Sequence, residues 1–259
     1  MDLGIAGRRA IVCASSKGLG RGCAMALAAE GVEVVINGRD EAVLARTAEE
    51  IRQATGARVI AVAADVSTKA GQDALFAACP EPDILVNNNG GPPFRDFREL
   101  DREKMLAGVV GNMVTPIELI QRAIDPMVRR GFGRIVNITS SSVKAPIAGL
   151  DLSSGARAGL TAFLAGVARS VAGANVTINQ LLPGSFDTDR LRGGIEREAA
   201  GRGIEVEAVR KRRAEAIPAK RLGTPEEFGA ACAFLCSVQA GYITGQNLLT
   251  DGGAFPGAF

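Results

Sequence analysis

Short β-branched runs alternate along this chain with longer stretches of helical periodicity, and few folds accommodate that alternation. The runs are Ala10 to Val12, Val32 to Asn37, Arg58 to Ala63, Asp83 to Asn87, Arg134 to Ser140, Asn175 to Leu182 and Gln246 to Thr250. Helical patterns fill the intervals at Gly22 to Ala28, Glu41 to Ala54, Lys69 to Ala78, Met105 to Arg130, Ser153 to Val171 and Pro225 to Ser237. Runs such as Ile84-Leu85-Val86 and Ile135-Val136 have no polar face, as expected of strands covered on both sides. The pattern predicts an α/β fold, a doubly wound parallel sheet of about seven strands with helices on both faces. Ligands in such folds sit beyond the carboxyl ends of the strands, so functional residues are expected where strands end.

Composition narrows the function classes. No compositional break divides the 259 residues, and 47% hydrophobic content can fill one substantial core, so a single domain over residues 1–259 is expected. A net charge of +2 is too small for a nucleic-acid-binding field. Histidine is absent, which excludes a His-containing zinc site, and no metal is expected. Five cysteines form an odd, sparse set, as in a reducing compartment, and Cys232 and Cys236 read as buried core thiols. No apolar run reaches membrane-spanning length and no signal segment opens the chain, so a cytoplasmic protein without a membrane partner is expected.

The first strand runs into Cys13-Ala14-Ser15-Ser16-Lys17-Gly18-Leu19-Gly20 and then a helical pattern. A loop placed there aims helix N–H groups and the positive end of the helix dipole at an anion, and the glycines let a pyrophosphate approach the backbone. A dinucleotide is the natural ligand, with Ala14 to Gly20 as its contacts. At the end of the second strand an acid would bind ribose hydroxyls and repel a 2′-phosphate. Gly38 stands there instead, followed by Arg39, and Lys17 adds a second positive charge, which favours NADP(H) over NAD(H). Asp65 is placed to accept from the adenine amino group, with Val66 beside it, or else to cap a helix.

At Leu85-Val86-Asn87-Asn88-Asn89-Gly90 the chain begins to resemble the short-chain dehydrogenase/reductase family. The resemblance continues through Gly133-Arg134-Ile135-Val136-Asn137-Ile138-Thr139-Ser140, Asn179-Gln180-Leu181-Leu182-Pro183-Gly184 with Thr188, Arg221 to Glu227, and Tyr242 to Gln246 ending in Asp251-Gly252-Gly253. It implies a Rossmann-like domain, a nicotinamide cofactor held also by Asn87, Asn89, Gly90, Pro183, Gly184 and Thr188, a small-molecule substrate, and a homo-oligomer, commonly a tetramer. The resemblance to 3-oxoacyl-[acyl-carrier-protein] reductases makes a 3-oxoacyl thioester the default substrate guess. The glycine loop departs from the family pattern at Cys13 and Ala14, which replace a Thr and the first Gly.

The catalytic positions depart further. The family carries Ser after the fifth strand and Tyr-x-x-x-Lys on the next helix, the Tyr thirteen positions beyond the Ser. Ser140 fills the serine position, which puts Ser153 in the tyrosine place; matching Ala158-Gly159-Leu160 to the run after the Lys independently puts Arg157 in the lysine place and Ser153 again in the tyrosine place. The only tyrosine, Tyr242, lies in the C-terminal signature. The resemblance thus assigns Asn112, Ser140, Ser153 and Arg157 to catalysis, Arg157 also to the cofactor ribose. A serine hydroxyl is a far weaker acid than a phenol, and Arg157 holds charge without shuttling a proton. Two readings remain: a hydroxyl-rich pocket including Ser141 and Ser154 that passes a proton from water, or a non-catalytic NADP(H)-binding sensor or partner subunit. Lys144 and Asp151 are further acid candidates, more simply read as solvated loop charges. Serine at a strand end or helix start is also a frequent cap.

Residues 188–220 occupy the family's substrate lid, and the loop at Pro92-Pro93-Phe94 is expected to shape the pocket. Arg210, Arg212 and Arg213 could receive an acidic group of the substrate, but interleaved glutamates favour an ordinary charged helical surface.

Overall fold

The computed structural model describes residues 2–258. Seven strands form one parallel sheet: β1 Arg9–Val12, β2 Glu33–Gly38, β3 Val59–Ala63, β4 Ile84–Asn87, β5 Gly133–Ile138, β6 Val176–Pro183 and β7 Asn247–Thr250, in spatial order β3-β2-β1-β4-β5-β6-β7. Parallel neighbours need crossovers, and the described residues form nine helices that supply and flank them: α1 Gly18–Ala29, α2 Glu41–Thr55, α3 Lys69–Ala78, α4 Arg102–Val109, α5 Thr115–Arg130, α6 Asp151–Val171, α7 Asp189–Arg202, α8 Val206–Glu215 and α9 Pro225–Cys236. The strand order reverses between β1 and β4, and the crevice at such a reversal is where ligands bind.

The two-residue period of the strands sorts their side chains between two cores. Ala10, Val12, Val34, Ile36, Ile84, Val86 and Val136 face one side, against Leu27, Leu44, Ile51 and Phe228 of α1, α2 and α9. Ile11, Val35, Leu85, Ile135 and Ile178 face the other, against Leu75, Leu119, Met127, Leu160 and Leu164 of α3, α5 and α6. All five cysteines are buried thiols within or beside these cores. No helix among the described residues is long and apolar enough to cross a membrane.

Local signals set the helix ends. Asp40 accepts from Val43 N to cap α2, which closes on Gly56 at φ 71°. Thr224 and Glu227 form a reciprocal capping box on α9, with Pro225 in its first turn.

Three expectations are corrected. The helix expected over Met105 to Arg130 begins at Arg102 and is broken by a π-helical turn, Val110–Val114, between α4 and α5. The fifth strand, expected to reach Ser140, ends at Ile138, because Ser140 turns out of the ladder and its hydroxyl accepts from Ser142 N. The helix expected from Ser153 begins at Asp151, which sets Ser153 within its first turn.

Candidate active site

The glycine loop is built by asparagines from neighbouring strands. Ser15 Oγ donates to Val12 O and accepts from Asn37 N, while Ala14 N donates to Asn37 Oδ1 and Ser15 N to Asn37 O. Asn37 Nδ2 in turn reaches Val62 O and Ala64 O, tying the loop to the end of β3. Asn88 Nδ2 donates to Ala14 O across the top of β4. The chain reverses so sharply that Ala14 sits at φ +44°, a left-handed conformation that strains a non-glycine residue by about 1–2 kcal/mol. A Cβ on Gly20 would stand 2.4 Å from Ala14 O and 2.9 Å from Asn88 Nδ2, so only glycine lets the helix approach the loop. The roles of Asn37 and Asn88 were not expected; their signal is a polar residue at, or just past, the end of an otherwise apolar strand.

Lys17 is the N-cap of α1 and offers no side-chain hydrogen bond, unlike Asp40, Thr68, Asp101 and Thr224 on α2, α3, α4 and α9. The N-terminal N–H groups of α1 are therefore left for an anion. They open on a cleft of about 400 Å³ lined by Lys17, Gly18, Arg21, Thr188, Asp189 and Arg192, among others. Thr188 caps α7, and its methyl lies 3.5 Å from where a Gly18 Cβ would be, so the α1 and α7 N-termini converge here. The free N–H groups of α1 and the cations Lys17, Arg21 and Arg192 suit phosphate oxygens, while Asp187, Asp189 and Glu226 line the cleft beside them.

At the end of β2, a Cβ on Gly38 would lie 2.9 Å from Ser16 Oγ, and Arg39 beyond it is exposed. The Lys17 ammonium, expected to join Arg39, lies 3.9 Å from Asp189 across the cleft. Asp65 is exposed and holds Ser67 N, with Val66 buried behind it. Asn89 bridges Ser67 Oγ and Gly111 O, and its own Oδ1 accepts from Gly90 N. Pro183 closes β6, and Gly184 N donates to Thr250 O.

The catalytic candidates gather beyond the ends of β4 and β5. In a π turn the backbone N–H reaches back five residues, and the amide of Asn112 takes up Gly108 O itself at 3.2 Å. Its Oδ1 and that of Asn87 are buried without a protein partner, and both residues line a cavity of about 10 Å³ together with Asn137 and Arg157. Arg157 reaches from α6 to the end of β5, donating through Nη1 to Ile138 O at 2.6 Å and through Nε to Ser153 Oγ at 3.3 Å. Both Ser153 and Arg157 are buried. Burial, and secondarily the like charge of Arg190, pull the Arg157 guanidinium down to about 10, which leaves it protonated at neutral pH. Ser140 is half-buried at the exit of β5, and Ser154 donates to Leu150 O as an ordinary helix hydroxyl.

Residues 188–220, where a substrate lid is expected, fold as a pair of helices, α7 and α8, joined through Ile195, Ala199 and Val209. Their cations are largely spoken for. Arg192 and Arg210 clamp Asp187 and hold its carboxyl at about 2, while Arg202, Arg212 and Arg213 converge on Glu198. Arg210, Arg212 and Arg213 thus form the charged surface expected of them.

A parallel sheet reversing at a glycine loop, an uncapped helix N-terminus and polar groups beyond β4 and β5 define an α/β protein of the dinucleotide-binding class. A family model described as enoyl-(acyl carrier protein) reductase matches residues 13–254. The NADPH-dependent reductase BacG of Bacillus subtilis (strain 168) is 33% identical over 252 residues, which span 95% of this chain and 97% of BacG. Acetoacetyl-CoA reductase of Cupriavidus necator is 32% identical over 254 residues, 96% and 99% of the two chains. The crystal structure of L-sorbose reductase from Gluconobacter frateurii, complexed with NADPH and L-sorbose, superposes with a TM-score of 0.94 at 29% identity, covering 99% of this chain and 100% of that one. The chain belongs to the short-chain dehydrogenase/reductase family.

Proposed function

We propose that this protein is an NADP(H)-dependent oxidoreductase that moves hydride between nicotinamide and a carbonyl, or an activated C=C or C=N bond, with Ser153 and Arg157 acting in place of the family's Tyr and Lys. The observation that carries it is the reach of Arg157 to Ile138 O with Ser153 on the same guanidinium, which holds the pair where the strands of the nucleotide crevice end. The phosphates would lie on the N–H groups of Gly18 to Gly20, the 2′-phosphate beside Arg39, and the nicotinamide side beneath Asn89, Pro183, Gly184 and Thr188. NADPH supplies the hydride when bound.

The chain's own residues have three tasks. Arg157 keeps its proton, bonds to ribose hydroxyls through the donors not taken by Ile138 and Ser153, and places a positive charge where an alkoxide develops. Ser153 and Ser140 orient the reacting oxygen and pass it a proton drawn from water, so that one hydride on carbon and one proton on oxygen complete the reduction. Asn112 anchors that water through its unpaired Oδ1. Because no strong acid stands in the pocket, acceptors needing little acid help suit it best. The loops at Pro92-Pro93-Phe94 and 141–150 frame the entrance, joined by Arg95 N donating to Gly149 O.

Two substitutions test this reading. Arg39→Ala is expected to weaken NADPH binding roughly 10–100-fold, the worth of a charge-assisted contact, while NADH binding stays unchanged; fluorescence titration of both measures it. Ser140→Ala with Ser153→Ala is expected to lower kcat by about 10²-fold or more with NADPH affinity kept. Unchanged turnover would contradict a hydroxyl relay.

The protein also assembles as a homo-oligomer in this reading. Tyr242 is fully exposed, Leu248 on edge strand β7 is 38% exposed, and Leu106, Val110, Val114 and Phe163 lie exposed along α4 to α6. Light scattering is expected to return a dimer or tetramer mass, and a monomer at micromolar concentration would refute it.

A further inference from the structure

Two arginines face the candidate active site without an acid. Arg190 Nη2 donates to Pro92 O at 3.1 Å, so the guanidinium spans from the lid to the loop after β4, 98 residues away in sequence. It enters because residue 91 is glycine: a Cβ there would stand 2.9 Å from Arg190 Nη1. The second cation is Arg157, buried at the end of β5 and close enough for the two like charges to act on each other. Among the described residues, no carboxylate comes within 4.0 Å of either guanidinium; of the other cations on α7 and α8, Arg192, Arg202, Arg210, Lys211, Arg212 and Arg213 have one, and Arg197 on α7 does not.

Arg157 is buried with no acid beside it, and Arg190, a solvent-exposed like charge held against Pro92 O, is free to meet an anion entering there. The cofactor phosphates are served elsewhere, at the α1 N-terminus. Arg190 does not line that cleft, although Asp189 and Arg192 near it do; its side chain is directed to the Pro92 wall, at the entrance proposed above. The planar fork of Arg190 has donors beyond the one given to Pro92, and a carboxylate matches two of them at once.

We infer that the substrate of this oxidoreductase carries a carboxylate, bound by Arg190 against the Pro92 wall and steered by the charge of Arg157. The inference rests on the reductase reading above. It makes the substrate a small oxo acid, or an unsaturated acid, whose reducible bond lies within a few atoms of the carboxyl group. Arg190 is then the residue that selects acids over neutral carbonyl compounds.

The test uses the enzyme loaded with NADP⁺, so that no turnover interferes, titrated by calorimetry with a panel of oxo acids of three to eight carbons and their methyl esters. At least one acid is expected to bind tenfold or more tightly than its ester. Arg190→Gln, which keeps a donor for Pro92 O without the charge, is expected to abolish that preference with ester and NADP⁺ affinities retained, and Arg190→Lys to preserve part of it. The inference is overturned if no acid outbinds its ester, or if Arg190→Gln keeps the preference. It is equally overturned if Arg190→Gln weakens NADP⁺ tenfold with the preference intact, since Arg190 would then be a cofactor clamp. Failure of NADP⁺ to bind at all would be recognisable as failure of the reductase reading, which takes this inference with it.

Discussion

Arg157→Met is expected to lower kcat by roughly 10²–10³-fold, a loss typical of removing one preorganised charge from a developing oxyanion. The side chain performs two tasks from one position. Its Nη1 bond to Ile138 O fixes α6 against β5, and its Nε bond fixes the Ser153 hydroxyl. Methionine fills similar volume and supplies neither. If the charge acts on the transition state, kcat falls more than KM rises; if Arg157 only holds the ribose, the loss appears in NADPH affinity with kcat unchanged at saturation. Arg157→Lys separates the tasks further, because a lysine restores an ammonium but no planar fork for both Ile138 and Ser153. Steady-state kinetics with both nucleotide and substrate varied checks each variant.

The largest effect on stability is expected where α1 crosses α9, beside the glycine loop. A Cβ on Gly22 would lie 2.2 Å from Pro225 O, and one on Gly229 would lie 2.2 Å from Gly22 O. Each contact is against backbone, so no side chain can turn aside. Gly22→Ala is expected to cost about 3 kcal/mol by forcing the helices apart, at the upper end of ordinary overpacking. That corresponds to a fall in melting temperature of roughly 6–12 °C. Calorimetric unfolding measures it, and a fall under 2 °C would show that the helices slide without penalty. Because Gly22 lies only two residues past Gly20 of the glycine loop, in the first turns of α1, the same variant is expected to weaken NADPH binding in the folded protein.

The sheet was readable because burial on both faces leaves an unbroken apolar run; Ile84-Leu85-Val86 and Ile135-Val136 admit little else. The π turn was hidden for a related reason. A one-residue insertion inside a long amphipathic stretch barely disturbs its periodicity, so Met105 to Arg130 read as one helix although Val110–Val114 interrupts it. Positions 140, 153 and 157 follow from the resemblance to the family's motif, and a motif register carries no information about partners. The bond between Arg157 and Ile138 O joins residues 19 apart through the turn from strand to helix, and only coordinates reveal it. Interleaved glutamates marked Arg210, Arg212 and Arg213 as a charged surface but did not name every partner. Arg210, Arg212 and Arg213 cluster in sequence and draw the eye, but the fold brings Asp187 and Glu198 to them from 23 and about 15 residues away. Arg190, single and inconspicuous in sequence, is the lid cation that reaches Pro92.

The central claim is that hydride still moves in a pocket whose tyrosine and lysine have become Ser153 and Arg157. The most direct test incubates the purified protein with NADPH deuterated at nicotinamide C4, each face in turn and NADH in parallel, together with metabolites extracted from the source cells. Mass spectrometry then follows protein-dependent label. Deuterium is expected on carbon in a product, from NADPH and from one face only, and to disappear when Ser140 and Ser153 are both alanine. Tight NADPH binding with no labelled product from either face would contradict the claim and leave the protein as a nucleotide-binding sensor or partner subunit.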